Sequence, residues 1–106
     1  MKTREERRHA VRRPVAWLVR LWLNNRSSVD GRATDASAYG MWVRMNWLPP
    51  GALQFGRPYR VEVQLETGEK RAHTAVLRRT SQLGVGLEAS EQLPFLASDG
   101  AAGRRL

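Results

Sequence analysis

The chain has 106 residues, of which 18 are Lys or Arg and 10 are Asp or Glu, so its net charge is +8. That length leaves room for one domain, and 42% hydrophobic residues suffice for a small core. The sequence contains no cysteine, which excludes disulfides and thiol catalysis. The positive charge predicts an anionic partner, such as nucleotide phosphates, nucleic acid or a membrane surface. No apolar run approaches the roughly 20 residues of a membrane span, and we expect no membrane insertion and a cytoplasmic location.

Residues 1–14 predict a flexible, basic N-terminal arm. Four arginines, Arg7, Arg8, Arg12 and Arg13, lie shortly before a proline that ends any helical turn there. Terminal runs of like charge are usually solvated tails. Arg8 and Arg12 nevertheless have the spacing R-x-x-x-R, which would allow both guanidinium groups to close over one anion.

Alternation of apolar and polar residues predicts six β-strands after the arm. The clearest runs from Tyr59 to Leu65, with apolar side chains on one face and polar ones on the other. Segment 15–23 also fits helical spacing, but a predicted hairpin loop at 24–28 favours a strand. The predicted strands cover residues 15–23, 29–37, 41–45, 59–65, 71–79 and 82–88. Six short strands in succession predict an all-β fold, either a small six-stranded antiparallel β-barrel or a sandwich.

The segment around the second predicted turn carries the pattern D-x-S-x-x-G, formed by Asp35, Ser37 and Gly40. On an extended backbone Asp35 and Ser37 leave the same face and can reach one polar partner. Gly40 then allows a positive-φ turn or a close approach of another group to the backbone. The alternative is a hairpin in which Asp35 and Ser37 only cap their own backbone.

No residue pattern in the chain supports catalysis, and we expect the protein not to be an enzyme. His9 and His73 are isolated from other metal-ligand residues, so neither a metal site nor a cofactor is expected. No phosphate-binding glycine loop or activated serine motif is present. The glycines of Gly84-Val85-Gly86 are better explained as bare outward positions of a strand, over which a neighbour can lie.

The R-x-x-x-R arm, the D-x-S-x-x-G motif and a closing strand at Leu83–Glu88 occur in this order within one short domain. That combination resembles the PilZ domain family, whose members bind the bacterial second messenger cyclic di-GMP. The resemblance covers roughly residues 4 to 90. It implies a barrel over 15–90, and it leaves 91–106 as a short, largely disordered C-terminal segment in place of the longer helix of many members.

The resemblance implies that cyclic di-GMP is the ligand, and the residue types suit it. Arginine presents a planar fork to guanine O6 and N7 or to a phosphate. A carboxylate such as Asp35 can accept from guanine N1 and N2. The ligand-binding residues implied are Arg7, Arg8, Arg12, Asp35, Ser37 and Gly40, with Arg13 and Val76 as possible accessories.

The resemblance also bears on the number of ligands. Arg7 adds a positive charge that would help to neutralise the phosphates of a stacked pair of dinucleotides. Val76 stands where some relatives carry a tryptophan that stacks on guanine, so this chain has no aromatic ring there. We therefore expect two dinucleotides per site.

Three functions remain open from the sequence. The first is a cyclic di-GMP receptor that relays the signal to an unidentified protein partner. The second is an adaptor of the same fold that binds no nucleotide. The third, a small basic barrel that binds RNA or single-stranded DNA, is the least expected, although tryptophans could serve it as stacking platforms. These are Trp17, Trp22, Trp42 and Trp47.

Overall fold

A computed structural model describes residues 11–45, 47–49 and 51–93, and six antiparallel strands in this part of the chain form a closed barrel. The strand order around the barrel is β1-β2-β3-β6-β5-β4, with β1 also paired to β4. This confirms the predicted all-β barrel, and segment 15–23 is a strand rather than a helix. The strands are β1 (Arg13–Trp22), β2 (Ser28–Ala36), β3 (Gly40–Met45), β4 (Pro58–Gln64), β5 (Lys70–Thr80) and β6 (Gly84–Ala89).

The barrel interior is filled by the apolar side chains at alternate strand positions. In β1, Trp17, Val19 and Leu21 are buried, while Leu18 and Arg20 between them are exposed. β4 repeats the pattern with Val61 and the other apolar residues of its inner face. Each fully buried aliphatic side chain contributes about 1.5 to 3 kcal/mol, so burial of this inner face is the main favourable contribution to barrel stability. The described part of the chain contains no helix with the length and hydrophobicity that a membrane crossing requires.

The chain continues past β6 onto one end of the barrel. The backbone N–H of Leu93 donates to the Ala38 carbonyl at 2.7 Å, and the Leu93 side chain is almost completely buried. No helical turn forms over 90–93. The beginning of the predicted C-terminal segment is therefore part of the barrel as far as Leu93. The remainder of that segment, 94–106, lies outside the described residues.

Three strand pairings are interrupted by register shifts that are typical of β-bulges. They lie between Pro14 and Trp17 in β1, between Ala33 and Asp35 in β2, and between Leu77 and Arg79 in β5. A bulge inserts one extra residue and reverses the face to which the following side chains point. These shifts determine which charged side chains reach the outer surface.

Glu66 fixes the irregular start of β1. Its carboxylate accepts hydrogen bonds from the Ala16 backbone N–H and from the buried Trp17 indole N–H, both at 3.0 Å. Partial burial would raise the pKa of Glu66, but the hydrogen bonds from Ala16, from its own backbone and from Trp17 outweigh it, and the pKa is lowered. The ionised carboxylate thus stabilises the segment from which the N-terminal arm leaves the barrel.

Replacement of Glu66 by Ala should destabilise the domain by about 1 to 3 kcal/mol, because a backbone and an indole donor lose their acceptor. The lowered pKa means that this contribution is complete above the unfolded-state pKa and is lost as pH falls through the folded-state pKa. The difference in the free energy of unfolding between wild type and Glu66→Ala should therefore narrow below the unfolded-state pKa of a glutamate, about 4.3. Urea unfolding at neutral and acidic pH would measure it. Glu69→Ala, which removes an exposed ion pair with Arg71, is the control, and equal stability of the two variants at neutral pH would contradict the assignment.

Candidate functional site

The strand register places four residues in one row across the outer face of the barrel. Asp35 of β2 is opposite Trp42 of β3, Trp42 is opposite Gly86 of β6, and Gly86 is opposite Arg79 of β5. The residues that flank Trp42 in β3 are buried, so Trp42 itself points outward. The row therefore combines a carboxylate, an aromatic ring and a guanidinium on one surface.

Gly86 keeps the middle of this row open. A methyl group there would lie 3.6 Å from Trp42 Cε3 and 3.5 Å from Arg79 Cβ. Trp42 and Arg79 thus stand on either side of a bare backbone position. The resulting cleft has a volume of about 380 Å³ and is lined by Arg12, Asp35, Trp42, Arg79, Thr80 and Ser81.

Arg12 and Asp35, from the two sequence motifs, are in direct contact at this cleft. Arg12 Nε donates to Asp35 Oδ1 at 2.8 Å, and Arg12 Nη2 lies 2.6 Å from the same oxygen. The side chains are 45% and 39% exposed, and such surface pairs contribute only about 0 to 1 kcal/mol to stability. Within the described residues Asp35 Oδ2 makes no hydrogen bond or ion pair, so this oxygen can accept from a ligand.

Ser37 has a structural role that differs from that of Asp35. Its backbone N–H donates to the Gly40 carbonyl at 2.8 Å, and its Oγ accepts from the Gly40 N–H at 3.2 Å. Ser37 is only 5% exposed. β2 ends at Ala36, and Ser37 caps the hairpin with its Oγ, which lies beside Gly40 as the Arg12 guanidinium does. The capping alternative holds for Ser37, whereas Asp35 is directed to Arg12.

Glycine is needed at position 40 because the Arg12 side chain approaches its backbone closely, not because the residue has a positive φ. Only Gly51, Gly56 and Gly68 have positive φ among the described residues. A methyl group on Gly40 would lie 3.4 Å from Arg12 Nη1. The glycine therefore gives the Arg12 guanidinium room beside the hairpin.

The other predicted site residues have different positions. Arg7 and Arg8 lie outside the described residues. Arg13 begins β1 opposite Ala36 and is exposed. Val76 points outward from β5 opposite Glu88, and it does not line the cleft. Of the sequence-based set, the structure brings Arg12 and Asp35 together at the cleft, with Ser37 and Gly40 shaping the hairpin beside them.

Trp42 and Arg79 are cleft residues that sequence reasoning did not assign to the dinucleotide site. Trp42 could have been found, because it lies between inward-facing Met41 and Val43 in β3. Arg79 could not, since strict alternation from buried Leu77 places it inside the barrel. The bulge between Leu77 and Arg79 turns it outward instead.

His73 lies on β5 opposite Val61, away from the cleft. Burial lowers its pKa, although Glu91 acts in the opposite direction and Arg71 adds to the lowering. No group of three or more His, Cys, Asp or Glu side chains suited to a metal ion occurs among the described residues. The cleft itself presents two guanidinium groups, one carboxylate and one indole ring, from Arg12, Arg79, Asp35 and Trp42.

The two outward glycines of β6 should respond differently to substitution. A methyl group on Gly84 would lie 2.1 Å from the Val43 carbonyl oxygen, whereas one on Gly86 meets only ordinary contacts. Gly84→Ala should therefore destabilise the domain by about 1 to 3 kcal/mol through overpacking, and Gly86→Ala should remain within about 0.5 kcal/mol of wild type. Thermal or urea unfolding measures both. Equal losses would mean that Gly86 is also needed for strand packing and does not keep the cleft open.

No protein-family model and no curated protein matches the chain at the level of sequence, but several solved structures share its fold. The inhibitor of motility MotI/DgrA of Bacillus subtilis is 26% identical, with a TM-score of 0.62 over 96% of this chain and 52% of that one. The PilZ domain of Escherichia coli YcgR, solved with c-di-GMP, is 20% identical, with a TM-score of 0.64 over 82% of this chain and 78% of that one.

The crystal structure of Escherichia coli YcgR in complex with c-di-GMP is 19% identical, with a TM-score of 0.63 over 94% of this chain and 49% of that one. The present chain thus spans about half the length of MotI/DgrA and of the YcgR complex. These likenesses show that the barrel has a PilZ-like fold.

Proposed function

We propose that this domain is a receptor for cyclic di-GMP in the bacterial cytoplasm, and that it relays the bound state to a protein partner without catalysing a reaction. The observation that carries the proposal is the Arg12–Asp35 contact at the mouth of an open cleft on a PilZ-like barrel. Both residues come from motifs that are distant in sequence, and the fold joins them at one place.

The likeness to YcgR supports the proposal only in part. YcgR was solved with c-di-GMP, but at 20% and 19% identity the comparison transfers the fold and not the ligand. The argument for cyclic di-GMP as the ligand therefore depends on the residues of this chain. Among the described residues that line the cleft, Asp35 is the one carboxylate and Arg12 and Arg79 are the two cations, which suits a ligand that has both phosphates and guanine bases.

The charged and aromatic residues of the cleft each have a chemical role toward such a ligand. Asp35 Oδ2 can accept from guanine N1 and N2, which are the donors of that base edge. Arg12 and Arg79 can each present a fork to a phosphate or to guanine O6 and N7. The Trp42 ring can stack on a base. Arg7 and Arg8 would add cations from the arm, with Arg13 as an accessory.

Ligand binding would exchange one interaction for several. Arg12 is held by Asp35 in the structure, and the pair is exposed enough to be replaced at little cost. Its guanidinium would gain a phosphate or base while Asp35 gains guanine donors. An adaptor that binds no nucleotide is the second candidate, and the observation in its favour is that Arg12 and Asp35 already satisfy each other.

Arg12→Ala and Asp35→Ala should each weaken cyclic di-GMP binding by about 2 to 4 kcal/mol, since each removes charge-assisted hydrogen bonds. Stability should change by less than about 1 kcal/mol because the pair is exposed. Isothermal titration calorimetry would measure the binding. The matched control is Arg20→Ala, which breaks a similar exposed Arg Nε to Asp Oδ1 contact, with Asp30 of β2, and it should bind as wild type does.

Wild-type affinity in Arg12→Ala would overturn the receptor proposal. Absence of binding to the wild-type domain would favour the nucleotide-free adaptor. The nucleic-acid function would be favoured if the domain bound a short oligonucleotide with a steep salt dependence, and if Arg20→Ala and Arg12→Ala lowered that affinity by similar amounts.

Trp42→Ala should weaken dinucleotide binding by about 1 to 3 kcal/mol through loss of base stacking. Trp47→Ala is the control, because Trp47 is exposed and lies outside the cleft.

The same titrations give the number of dinucleotides bound per domain. The sequence argument for two dinucleotides rested on the charge of Arg7 and on the missing aromatic face at Val76 of β5, whereas Trp42 supplies an aromatic face from β3. A ratio of two in both wild type and Trp42→Ala would support self-stacked ligands, and Arg7→Leu should then lower it. Unchanged affinity in Trp42→Ala would remove Trp42 from the site.

A further inference from the structure

A second surface of the barrel is unusually apolar. Trp47, Phe55 and Leu83 are 67%, 66% and 59% exposed, and the other exposed large hydrophobic residues among those described are Val11 and Leu18. Trp47 follows the end of β3, Phe55 lies in the loop before β4, and Leu83 lies in the turn between β5 and β6. Three of the five therefore come from loops at one end of the barrel.

These loops enclose a groove of about 450 Å³ beside the barrel end. Trp47 and Phe55 line it, and so do Leu48 and Leu53, which also pack against the core. Phe55 is further held by a bridge of its backbone to Leu77 of β5. The groove thus has a supported apolar floor and two exposed aromatic rings, which is how the central pocket of a protein interface is built.

Two arginines lie on the sheet next to this groove, and the nearby Asp30 of β2 is already paired with Arg20. Arg44 is opposite Gly84, which lines the groove, and on its other side Arg44 is opposite Arg32 of β2. Like charges directly opposite one another destabilise a sheet. Within the described residues neither arginine has a carboxylate partner. No acidic residue lines the groove in that part of the chain. The surface is therefore complementary to an acidic occupant.

The groove and the dinucleotide cleft share one wall. Thr80 and Ser81, in the connection from β5 to β6, line both cavities. The connection is internally bonded, since the Ser81 N–H donates to the Gly84 carbonyl at 2.9 Å and Ser81 Oγ accepts from the Leu83 N–H at 3.0 Å. An occupant of the groove would contact the turn on the side opposite to the cleft.

We propose that this groove is the docking site for a protein partner, specifically for a segment with large apolar side chains flanked by carboxylates. The apolar side chains fill the space between Trp47 and Phe55, and the carboxylates pair with Arg44 and Arg32. An apolar centre with a charged rim is the anatomy of protein interfaces. A nucleic-acid strand would leave Phe55 and the apolar floor at Leu48 and Leu53 without an apolar partner. The docking site is argued independently of the proposed function. Only the signal that docking would convey, the bound state of the dinucleotide, rests on the proposed function.

The test uses the full chain and a fluorescein-labelled synthetic peptide that has Leu and Phe at its centre and Glu on both sides. Fluorescence anisotropy should show binding of this peptide and little binding of a version with Lys in place of Glu. The double variant Trp47→Ser, Phe55→Ser should weaken binding at least about tenfold. Leu18→Ser, an exposed apolar residue outside the groove, is the matched control and should bind as wild type does. Arg44→Glu should reverse the preference between the Glu and Lys peptides.

Three results would overturn the proposal. The first is an equal loss of peptide binding in Leu18→Ser and in the double variant. The second is a dimer in solution that the double variant converts to monomer, which would make the groove an interface between copies of this chain. The third is binding of oligo(dT) that Arg44→Glu abolishes and the double variant retains. Arg12→Ala should lose the dinucleotide but keep the peptide, so failure of the receptor proposal is distinguishable from failure of this one.

Discussion

The positions of the charged cleft residues depend on two β-bulges in a closed barrel. Ala33 and Leu77 are buried, so strict alternation would direct Asp35 and Arg79 into the core. An unpaired charge there would cost several kcal/mol. The extra residue in β2 and in β5 reverses the alternation and turns both side chains outward into one row. Closure of the barrel fixes that row, because every strand has neighbours on both sides and none can shift its register alone.

The same constraint explains how far the sequence could predict the molecule. Period-two patterning predicted all six strands, since burial of one face is a local property of each strand, and the family resemblance selected the barrel over a sandwich. The motif pair predicted that Arg12 and Asp35 belong to one site, and they are in contact. Arg79 was missed because a bulge depends on how two strands pair, which alternation within one strand does not report. The capping role of Ser37 depends on where β2 ends, which alternation within one strand does not report either.

Weak interactions suit this site better than strong ones. The Arg12–Asp35 pair is exposed and close to Gly40, which gives the guanidinium space to move. A buried pair would be costly to break, because each charge would be left unpaired in a medium of low polarity. An exposed pair loses little when Arg12 turns from Asp35 to an incoming anion. The free domain can thus keep its site assembled and its cleft open, with Gly86 providing the bare backbone between Trp42 and Arg79.

The connection from β5 to β6 is where ligand and partner would influence one another. Thr80 and Ser81 contribute to both cavities, and the turn that they begin is closed by hydrogen bonds to Leu83 and Gly84. These hydrogen bonds connect the cleft side of the turn to its groove side. If a dinucleotide changes the affinity of the groove for an acidic segment by some factor, linkage requires that the segment change the affinity for the dinucleotide by the same factor. Such coupling needs no long movement of the arm, because Thr80 and Ser81 line both cavities.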